Sequence, residues 1–522
     1  MKILWIDLNS SYAHSSLALP ALHAQLTEDE AMEWYTVSAT INENVGNIAS
    51  EVCSHHPDII AATVWLFNHE AMMHIISRIK AMIPETCVIL GGPEFLGDNE
   101  NFLRCNPFVN CVFRGEGEEQ FPRWLSCWNN QEQWTNITGL CYFSADQQYH
   151  DNGLARVLDI EQLKAPEKSR FFNWEKPFVQ LETTRGCFNT CAFCVSGGEK
   201  PVRTLSIDII RQRIETIHAH GIKDVRVLDR TFNFNISRAK ELLKLFQEYH
   251  PHMRFHLEIH PALLSNELKE ALKGLPKGLL HLEAGIQSLR EPVLEKCQRV
   301  GKLKAALEGL EFLCSLDNME THADLIAGLP LYHLYEIFED IQTLASCEAG
   351  EIQLEALKLL PGTAMRRNAK ELQTARLLSR LLDAFYNTPA WQKLTRMIIL
   401  HNKVSLQHFL DYLIEKKLLD YPMSLERRGI VLYEYCKIYH PEYLLEATIA
   451  WIEAGMSLKK QPAERVKTKH QTPPEEWNVI YGDYKDSLRL CFLPTDEKEL
   501  HGYWFGFESE IQKIGPVFKA RS

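Results

Sequence analysis

The chain has 522 residues and a formal net charge of −12, with 45% hydrophobic and 24% charged residues. At roughly 150 residues per domain, this length suggests about three domains with sizeable cores. The acidic balance disfavours an electrostatic binder of nucleic acid, and no stretch approaches the ~18 apolar residues of a membrane span. Because the first residues lack the parts of a secretory signal, we expect a cytoplasmic protein. Its 14 cysteines are then reduced thiols or metal ligands rather than disulfides.

The first part of the chain alternates short apolar runs with helical patterns. Strands are predicted at residues 2–7, 34–41, 58–66, 87–92 and 110–115. Five β-α units predict a doubly wound parallel sheet, and such sheets bind ligands at the carboxyl ends of their strands. The loops at that edge are residues 9–16, 41–46, 65–70, 91–95 and 114–119. Glycines in the last two loops permit a close approach of backbone to a ligand.

A second β-α series follows. Its predicted strands are residues 178–184, 225–229, 255–259, 279–286, 322–329 and 351–359. Six strands with helices between them suggest a partial TIM-like barrel, in which active-site groups sit at the carboxyl ends of the strands. The last part has helical periodicity, then a polar linker at 458–477 and a small β tail. The predicted domains are 1–145, 175–368 and 369–522, with a linker at 146–174.

The most informative motif is a C-x3-C-x2-C run formed by Cys187, Cys191 and Cys194. A structural zinc site uses four protein ligands, and no fourth ligand lies nearby in the sequence. An iron–sulfur cube held by three thiolates leaves one iron open for a small molecule, which fits three cysteines better. The motif also follows the first strand of the second series, where a barrel binds its ligands. A zinc knuckle or a buried thiol cluster remains the alternative.

The run Gly186-Cys187-x3-Cys191-Ala192-Phe193-Cys194 resembles the signature loop of radical S-adenosylmethionine (SAM) enzymes. The resemblance implies a [4Fe-4S] cluster, SAM on its open iron, and an electron donor such as flavodoxin or ferredoxin. The segments 227–235, 282–288 and 322–330 resemble the family's later strand ends. The GGE triplet that often follows the second strand is absent there, and Gly197-Gly198-Glu199 lies beside the cysteines instead. The implied SAM contacts are Phe193, Asp229, Glu283, Gln287, Ser288 and Gly328.

A flavodoxin-like sheet ahead of such a barrel resembles the cobalamin-binding members of this family. The implied cobalamin contacts are Asn9, Tyr12, His14, Thr63, Gly91, Gly92, Pro93, Glu94, Gly115, Glu116 and Gly117. One departure matters. Domains that ligate cobalt through histidine carry D-x-H-x-x-G, and after Asp7 the histidine position holds Asn9. His14 lies in the same loop at the wrong spacing, so we predict that cobalt receives no histidine from this domain.

The resemblance implies methylation of an unactivated carbon through a 5′-deoxyadenosyl radical and methylcobalamin. Two other functions stay open. One is a radical cyclisation or rearrangement without methyl transfer, and the other is a non-catalytic corrinoid-binding protein with a structural cluster. The sequence identifies neither the substrate, a small molecule or a peptide, nor the catalytic groups that face it.

Overall fold

The structure is a computed structural model. It describes residues 1–520 except 15, 27–31, 198, 359, 362–368, 458–459, 461, 463–466, 470–488, 495–499 and 508–510. The described chain divides into two compact units. The first contains residues 1–285 and 291–320, and the second contains residues 286–290, 321–357 and those from 369 onward.

The first sheet occupies the N-terminal third of the chain. Its strands are β1 (Lys2–Asn9), β2 (Glu33–Thr40), β3 (Ile59–Thr63), β4 (Cys87–Gly91), β5 (Cys111–Phe113), β6 (Leu140–Phe143) and β7 (Tyr149–Asp151). The helices between them are α1 (Ala18–Ala24), α2 (Val45–Ser54), α3 (His69–Met82), α4 (Glu100–Cys105) and α5 (Gln120–Leu125). The strand order is β2-β1-β3-β4-β5-β6-β7, and the first five strands are parallel. All five predicted strands are confirmed.

Both faces of this sheet are covered, which explains why the central strands β1, β3 and β4 carry apolar runs without alternation. All five residues of β3 are buried. In β1, Leu4 and Ile6 pack into one core, while Ile3 and Trp5 pack into a second core on the opposite face. The strands β6 and β7 were not predicted. They extend the sheet in antiparallel fashion, and β7 lies within the segment predicted as a linker.

The strand order reverses between β1 and β3, because β2 is added to the sheet on one side of this pair and β4 on the other. Ligands of doubly wound sheets bind at such a switch point. Asn68 joins the two strand ends here and is 1% exposed. Its Nδ2 donates to Leu8 O at 2.9 Å and Thr63 O at 3.2 Å, and its Oδ1 accepts the Trp65 N–H at 2.8 Å.

The second β-α series supplies the strands β8 (Phe178–Leu181), β9 (Thr184–Arg185), β10 (Arg203–Thr204), β11 (Asp224–Val227), β12 (Arg254–Ile259), β13 (Leu280–Gln287), β14 (Glu320–Ala327) and β15 (Glu351–Ala356). Within the first unit β8, β11, β12 and β13 pair in that order and in parallel, while β9 and β10 form a short antiparallel pair. Within the second unit β14 pairs in parallel with β15. All six predicted strands are present.

Helices alternate with these strands, as the sequence predicts. They are α6 (Ile207–Ala219), α7 (Ile236–Gln247), α8 (Asn266–Lys273), α9 (Glu291–Lys296), α10 (Leu303–Cys314) and α11 (Leu334–Ser346). In β12 and β13 every second residue is fully buried, and the residues between them are half-buried and polar. One face of these strands therefore packs on helices, and the other carries groups such as His256 and Glu283.

The second unit continues as a helical region. Its helices are α12 (Ala369–Leu381), which runs into a π-helical turn at Leu382–Tyr386, α13 (Pro389–Leu400), α14 (Ser405–Glu415), α15 (Leu425–Tyr439) and α16 (Leu444–Glu453). Its core is aromatic and includes buried Trp391, Phe409 and Trp451. This confirms the predicted helical appendage. In the described part of the chain, no helix has both the length and the apolar character needed to cross a bilayer.

Four antiparallel strands follow, β16 (Lys467–Lys469), β17 (Arg489–Pro494), β18 (Leu500–Phe507) and β19 (Ile511–Ala520). The predicted β tail is confirmed. The predicted linker at 458–477 contains β16, and its residues 470–477 lie outside the described residues.

Candidate functional site

The three cysteines lie on one loop of residues 186–199, called here the cysteine loop, directly after β9. Cys191 is buried, and Cys187 and Cys194 are half-buried. Backbone hydrogen bonds coil the loop tightly. The Cys194 N–H donates to Cys191 O at 3.1 Å, and the Cys187 N–H donates to Glu199 O at 3.1 Å, which closes the loop. The local backbone therefore fixes where the thiols sit.

Gly197 belongs to this tight packing. A Cβ atom at Gly197 would lie 2.4 Å from Cys191 O and 3.0 Å from Cys194 O, closer than real Cβ atoms approach a carbonyl oxygen. Part of the Gly-Gly-Glu triplet beside the cysteines thus has a steric reason, which is to let the loop fold on itself.

Electrostatics at Cys191 combine opposing effects. Burial raises the pKa of the Cys191 thiol, and the neighbouring Cys194 and Cys187 act in the same direction, while Arg299 opposes them. Arg299 Nη1 lies 3.6 Å from Cys191 Sγ, and its other terminal nitrogen donates to Gly285 O. A fixed guanidinium at this distance favours the thiolate, which is the form that ligates metal.

The zinc alternative fits this loop poorly. Tetrahedral zinc with Zn–S bonds of ~2.3 Å holds its sulfurs about 4 Å apart, and the three cysteines are not among the described side chains that gather their ligand atoms within 4.8 Å of one another. Cys297 is the neighbouring fourth cysteine, since the Ala192 N–H donates to Cys297 O at 2.9 Å. Burial raises the pKa of its thiol to about 11.

Polar groups around the loop fit a sulfur-rich cluster instead. Asn189 Oδ1 accepts the Val300 N–H at 3.0 Å, whereas Asn189 Nδ2 is buried and has no hydrogen-bond partner in the described structure. A buried donor without a partner requires explanation, and cluster or thiolate sulfur would accept its hydrogen bond. Burial and, to a lesser degree, the charge of Arg299 lower the pKa of the nearby His260 to about 3. His260 is therefore uncharged at neutral pH, and it adds no positive charge beside that of Arg299.

Three of the predicted SAM contacts lie in the first unit. Phe193 is half-buried within the cysteine loop. Glu283 lies on β13 with its Oε2 3.0 Å from His256 Nε2. Asp229 is 1% exposed, and its carboxylate accepts the N–H groups of Thr183 at 2.9 Å and Thr184 at 2.8 Å. Its oxygens thus fix the strand end that leads into the cysteine loop, and a SAM contact for Asp229 stays a prediction.

The other three lie in the second unit. Gln287 has a positive φ of 72°, and its Oε1 is buried with no hydrogen-bond partner in the described structure. Gly328 also has a positive φ, 87°. Ser288 is fully buried, and its Oγ accepts the Arg290 N–H at 3.1 Å. Gln287 therefore offers an acceptor for a ligand, whereas Ser288 is engaged in the local turn.

A cavity of about 650 Å³ lies in the first unit at the carboxyl edge of the first sheet, and we call it the sheet-edge cavity. Nine of the predicted cobalamin contacts line it, namely Asn9, His14, Thr63, Gly91, Gly92, Pro93, Gly115, Glu116 and Gly117. Tyr12 and Glu94 do not. Tyr12 is 73% exposed, and Glu94 Oε2 lies 3.0 Å from His69 Nδ1.

Part of the remaining lining comes from the second β-α series and was not predicted. Arg185 contacts three carboxylates, Glu118 at 2.9 Å, Glu182 at 2.8 Å and Glu116 at 3.5 Å. Arg203 binds Glu116 through both terminal nitrogens, at 2.7 and 2.8 Å. Burial alone would raise the pKa of Glu116, but the bonds from Arg203 and the charge of Arg185 lower it below its ordinary value. One wall of the cavity is therefore a fixed, ionised network.

The glycines at the end of β4 differ from each other. Gly92 has a φ of +111°, and a Cβ atom there would lie 2.6 Å from Val64 O, so the fold itself requires glycine. A Cβ atom at Gly91 would make only an ordinary contact, 3.7 Å from Phe113 Cβ. Gly91 therefore lines the cavity at a position where the fold itself would accept a methyl group.

The loop after β1 places no free histidine ligand at the position of the family motif. Asn9 Nδ2 donates to Asp7 Oδ2 at 2.8 Å. His14 Nδ1 lies 2.8 Å from Ser11 Oγ, and burial, with Arg226 and Lys176, lowers the pKa of His14.

Trp5 also lines the cavity, and its buried Nε1 has no partner in the described structure, which suits a ligand that carries hydrogen-bond acceptors.

Comparison with known families agrees with this geometry. Residues 181–342 match the radical SAM superfamily, and residues 6–125 match the B12 binding domain. The two matches contain the cysteine loop and most of the lining of the sheet-edge cavity. The chain therefore contains a radical SAM domain and a B12 binding domain, the pair that the sequence predicts, and the predicted fold class is confirmed.

Two curated proteins and one solved structure illustrate what this chain is similar to. The uncharacterized methyltransferase PH0819 of Pyrococcus horikoshii is 25% identical over 61% of this chain and 71% of its own length. The cobalamin-dependent radical SAM methyltransferase TokK of Streptomyces tokunonensis is 22% identical over 60% of this chain, and the match spans about half (49%) of TokK. The solved structure of the radical enzyme OxsB, with aqua-cobalamin and SAM bound, has a TM-score of 0.60 and 14% identity over 88% of this chain and 82% of OxsB.

Proposed function

We propose that the protein is a cobalamin-dependent radical SAM methyltransferase that acts on an unactivated carbon. The observation that carries the proposal is the presence of a three-cysteine loop and the sheet-edge cavity, with their two family matches, in one chain. The relatives PH0819 and TokK, both named as methyltransferases, support methyl transfer as the outcome.

In this proposal Cys187, Cys191 and Cys194 ligate a [4Fe-4S] cluster and leave one iron for SAM. When bound, the cluster and cobalamin supply reductive cleavage of SAM and a transferable methyl group. Arg299 holds the Cys191 thiolate through its 3.6 Å contact. Asn189 donates its unpartnered N–H to cluster sulfur. Phe193, Glu283, Gln287 and Gly328 remain our candidates for contacts to SAM.

We assign cobalamin to the sheet-edge cavity. Gly91 and Gly92 let the backbone approach the corrin, and the Glu116–Arg203 pair fixes one wall. Because Asn9 is bonded to Asp7 and His14 to Ser11, we expect cobalt to have no histidine ligand from this domain. We expect the loaded site to exclude solvent and competing hydrogen donors, as radical chemistry requires.

Two features of the cell follow from the proposal. The cluster needs a one-electron donor, for which flavodoxin or ferredoxin has the right chemistry. Cys187, Cys191 and Cys194 are free thiols in the structure, which supports a reducing compartment such as the cytoplasm.

The test is anaerobic reconstitution with iron, sulfide and cobalamin, followed by SAM and a reductant. The proposal predicts bound corrinoid, about four irons per chain, and 5′-deoxyadenosine. With substrate it predicts a methylated product and S-adenosylhomocysteine. Deoxyadenosine without methylated product would favour a radical rearrangement instead. Corrinoid binding without deoxyadenosine would favour a binding protein with a structural cluster. A protein that binds neither iron nor corrinoid would refute the proposal.

A further inference from the structure

We propose that His401, His440 and Glu442 form a zinc site in the helical region of the second unit. The three side chains place one ligand atom each within 4.8 Å of one another. They belong to neither family match, which end at residue 342. The inference is therefore independent of the proposed radical chemistry.

The distances fit one metal ion. Glu442 Oε1 lies 3.6 Å from His401 Nδ1 and 3.3 Å from His440 Nδ1. Tetrahedral zinc, with bonds of about 2.0–2.1 Å to nitrogen and oxygen, spaces adjacent ligand atoms about 3.3 Å apart. The two separations that involve the carboxylate therefore match the spacing around one zinc ion, and all three ligand atoms lie within 4.8 Å of one another.

The backbone around the site favours a cation. His401 is the C-cap residue of α13, and His440 is the C-cap residue of α15. The C-terminus of a helix carries about half a negative elementary charge on its unpaired carbonyls, and cations are stabilised there. The C-cap side chains of both helices and one carboxylate meet at this cluster. This charge is independent of the ligand spacing and points to the same conclusion.

The site combines one buried histidine with two ligands that solvent can reach. The His440 side chain is 7% exposed, whereas His401 is 35% and Glu442 47% exposed. The two imidazole rings meet edge to face with centroids 4.3 Å apart. Tyr443 places its hydroxyl 2.9 Å from His401 Nδ1, so without metal this nitrogen is held by a hydrogen bond. An ion can enter from solvent, and a water or the Tyr443 oxygen can complete its coordination.

The donor set favours a transition metal ion such as zinc over magnesium and calcium. Two imidazoles and one carboxylate suit zinc, whereas magnesium and calcium prefer oxygen ligands alone. Because the ligands come from the ends of α13 and α15 and from the turn before α16, the ion would join three helices. We therefore expect it to stabilise the helical region, since an ion that binds only the folded state raises its stability.

The experiment measures zinc by mass spectrometry in the full chain after exposure to zinc chloride and removal of the excess. It is done on the cluster-loaded protein and on the C187A/C191A/C194A variant, in which the cysteine loop cannot take zinc. We expect about one zinc per chain in both. Zinc should also raise the Tm of the wild type.

The variants are His440→Gln and Glu442→Gln, and His74→Gln is the control because it removes an exposed histidine on α3. We expect zinc affinity to fall at least about tenfold in both ligand variants and to stay unchanged in the control. Glu442 is half-exposed, so its variant should fold, which circular dichroism checks. Zinc binding that is equal in Glu442→Gln and wild type, or absent from the wild type, would show that the cluster is only a set of hydrogen bonds.

Discussion

The cysteine loop and the sheet-edge cavity hold their ligands in opposite ways. The loop presents three identical side chains within eight residues, so its chemistry is carried by residue type. The cavity is shaped by missing side chains, as at Gly91, and by charge pairs such as Arg203 with Glu116. The difference teaches that a metal site can be recognised in a sequence from a single motif. A cradle for a large cofactor depends instead on contacts between distant segments.

The largest effect is expected from Cys191→Ala, which removes the most buried thiol of the loop. We expect loss of the [4Fe-4S] signal in electron paramagnetic resonance and loss of deoxyadenosine to background, because two thiolates do not hold the cube. Corrinoid binding should persist. Cys105→Ala, at an exposed cysteine, is the control. A wild-type amount of deoxyadenosine from Cys191→Ala would contradict the view that the three thiols carry the chemistry of the loop.

A second variant tests whether the backbone of the loop matters as much as its thiols. Gly197→Ala would place a methyl group 2.4 Å from Cys191 O, so the loop must open and most of the iron should be lost although all three cysteines remain. Gly274→Ala is the matched control, because its Cβ has only ordinary contacts, at 3.7 Å. An unchanged iron content in Gly197→Ala would mean that the loop tolerates expansion.

On the cavity side, Glu116→Gln should lower the free energy of unfolding by about 2 kcal/mol, because it leaves the half-buried Arg203 without a charged partner. Glu100→Gln, in an exposed pair with Arg104, should cost no more than about 0.5 kcal/mol. Chemical denaturation at neutral pH measures both. Equal effects would mean that the wall network contributes nothing beyond a surface pair.

The same pair has a pH signature. The pKa of Glu116 in the folded state lies below its ordinary value, which is about 4.3 in an unfolded chain. Its contribution to stability is therefore complete above about pH 4.3 and is lost as the pH falls through the folded pKa. The difference between wild type and Glu116→Gln should shrink on acidification.

A smaller effect is expected from Gly91→Ala. The added methyl group makes an ordinary contact, 3.7 Å from Phe113 Cβ, so Tm should stay close to that of the wild type. Because it projects into the cavity lining, corrinoid affinity should fall by roughly tenfold, or about 1.4 kcal/mol. Gly92→Ala is the contrast, since its backbone clash should lower Tm as well. Wild-type corrinoid affinity in Gly91→Ala would place the corrin elsewhere.

The smallest effect is expected from His14→Gln. If this domain gives cobalt no histidine, bound cob(II)alamin should show no nitrogen hyperfine splitting from the protein, and the variant spectrum should equal that of the wild type. His14 is already bonded to Ser11 at 2.8 Å. A nitrogen splitting that disappears in His14→Gln would reverse the prediction and make His14 the lower ligand.

The sequence predicts the regular strands and the cysteines well, for physical reasons. Runs such as IIAA in β3 are apolar at successive positions because both faces are buried. The strands β6 and β7 escape prediction, since they have four and three residues and form only by adding to an existing edge. Arg299 and Arg203 were missed because their partners, Cys191 and Glu116, lie 108 and 87 residues away. Only the fold brings such residues together.

Asn68 sets the rigidity of the crevice between β1 and β3. A single amide side chain binds the ends of both strands and the first residues of the following loop, so the opening has its width before any ligand arrives. A preorganised host loses little conformational entropy on binding. Corrinoid association should therefore leave amide hydrogen exchange at these strand ends almost unchanged, and the affinity it reaches should come from contacts rather than from ordering.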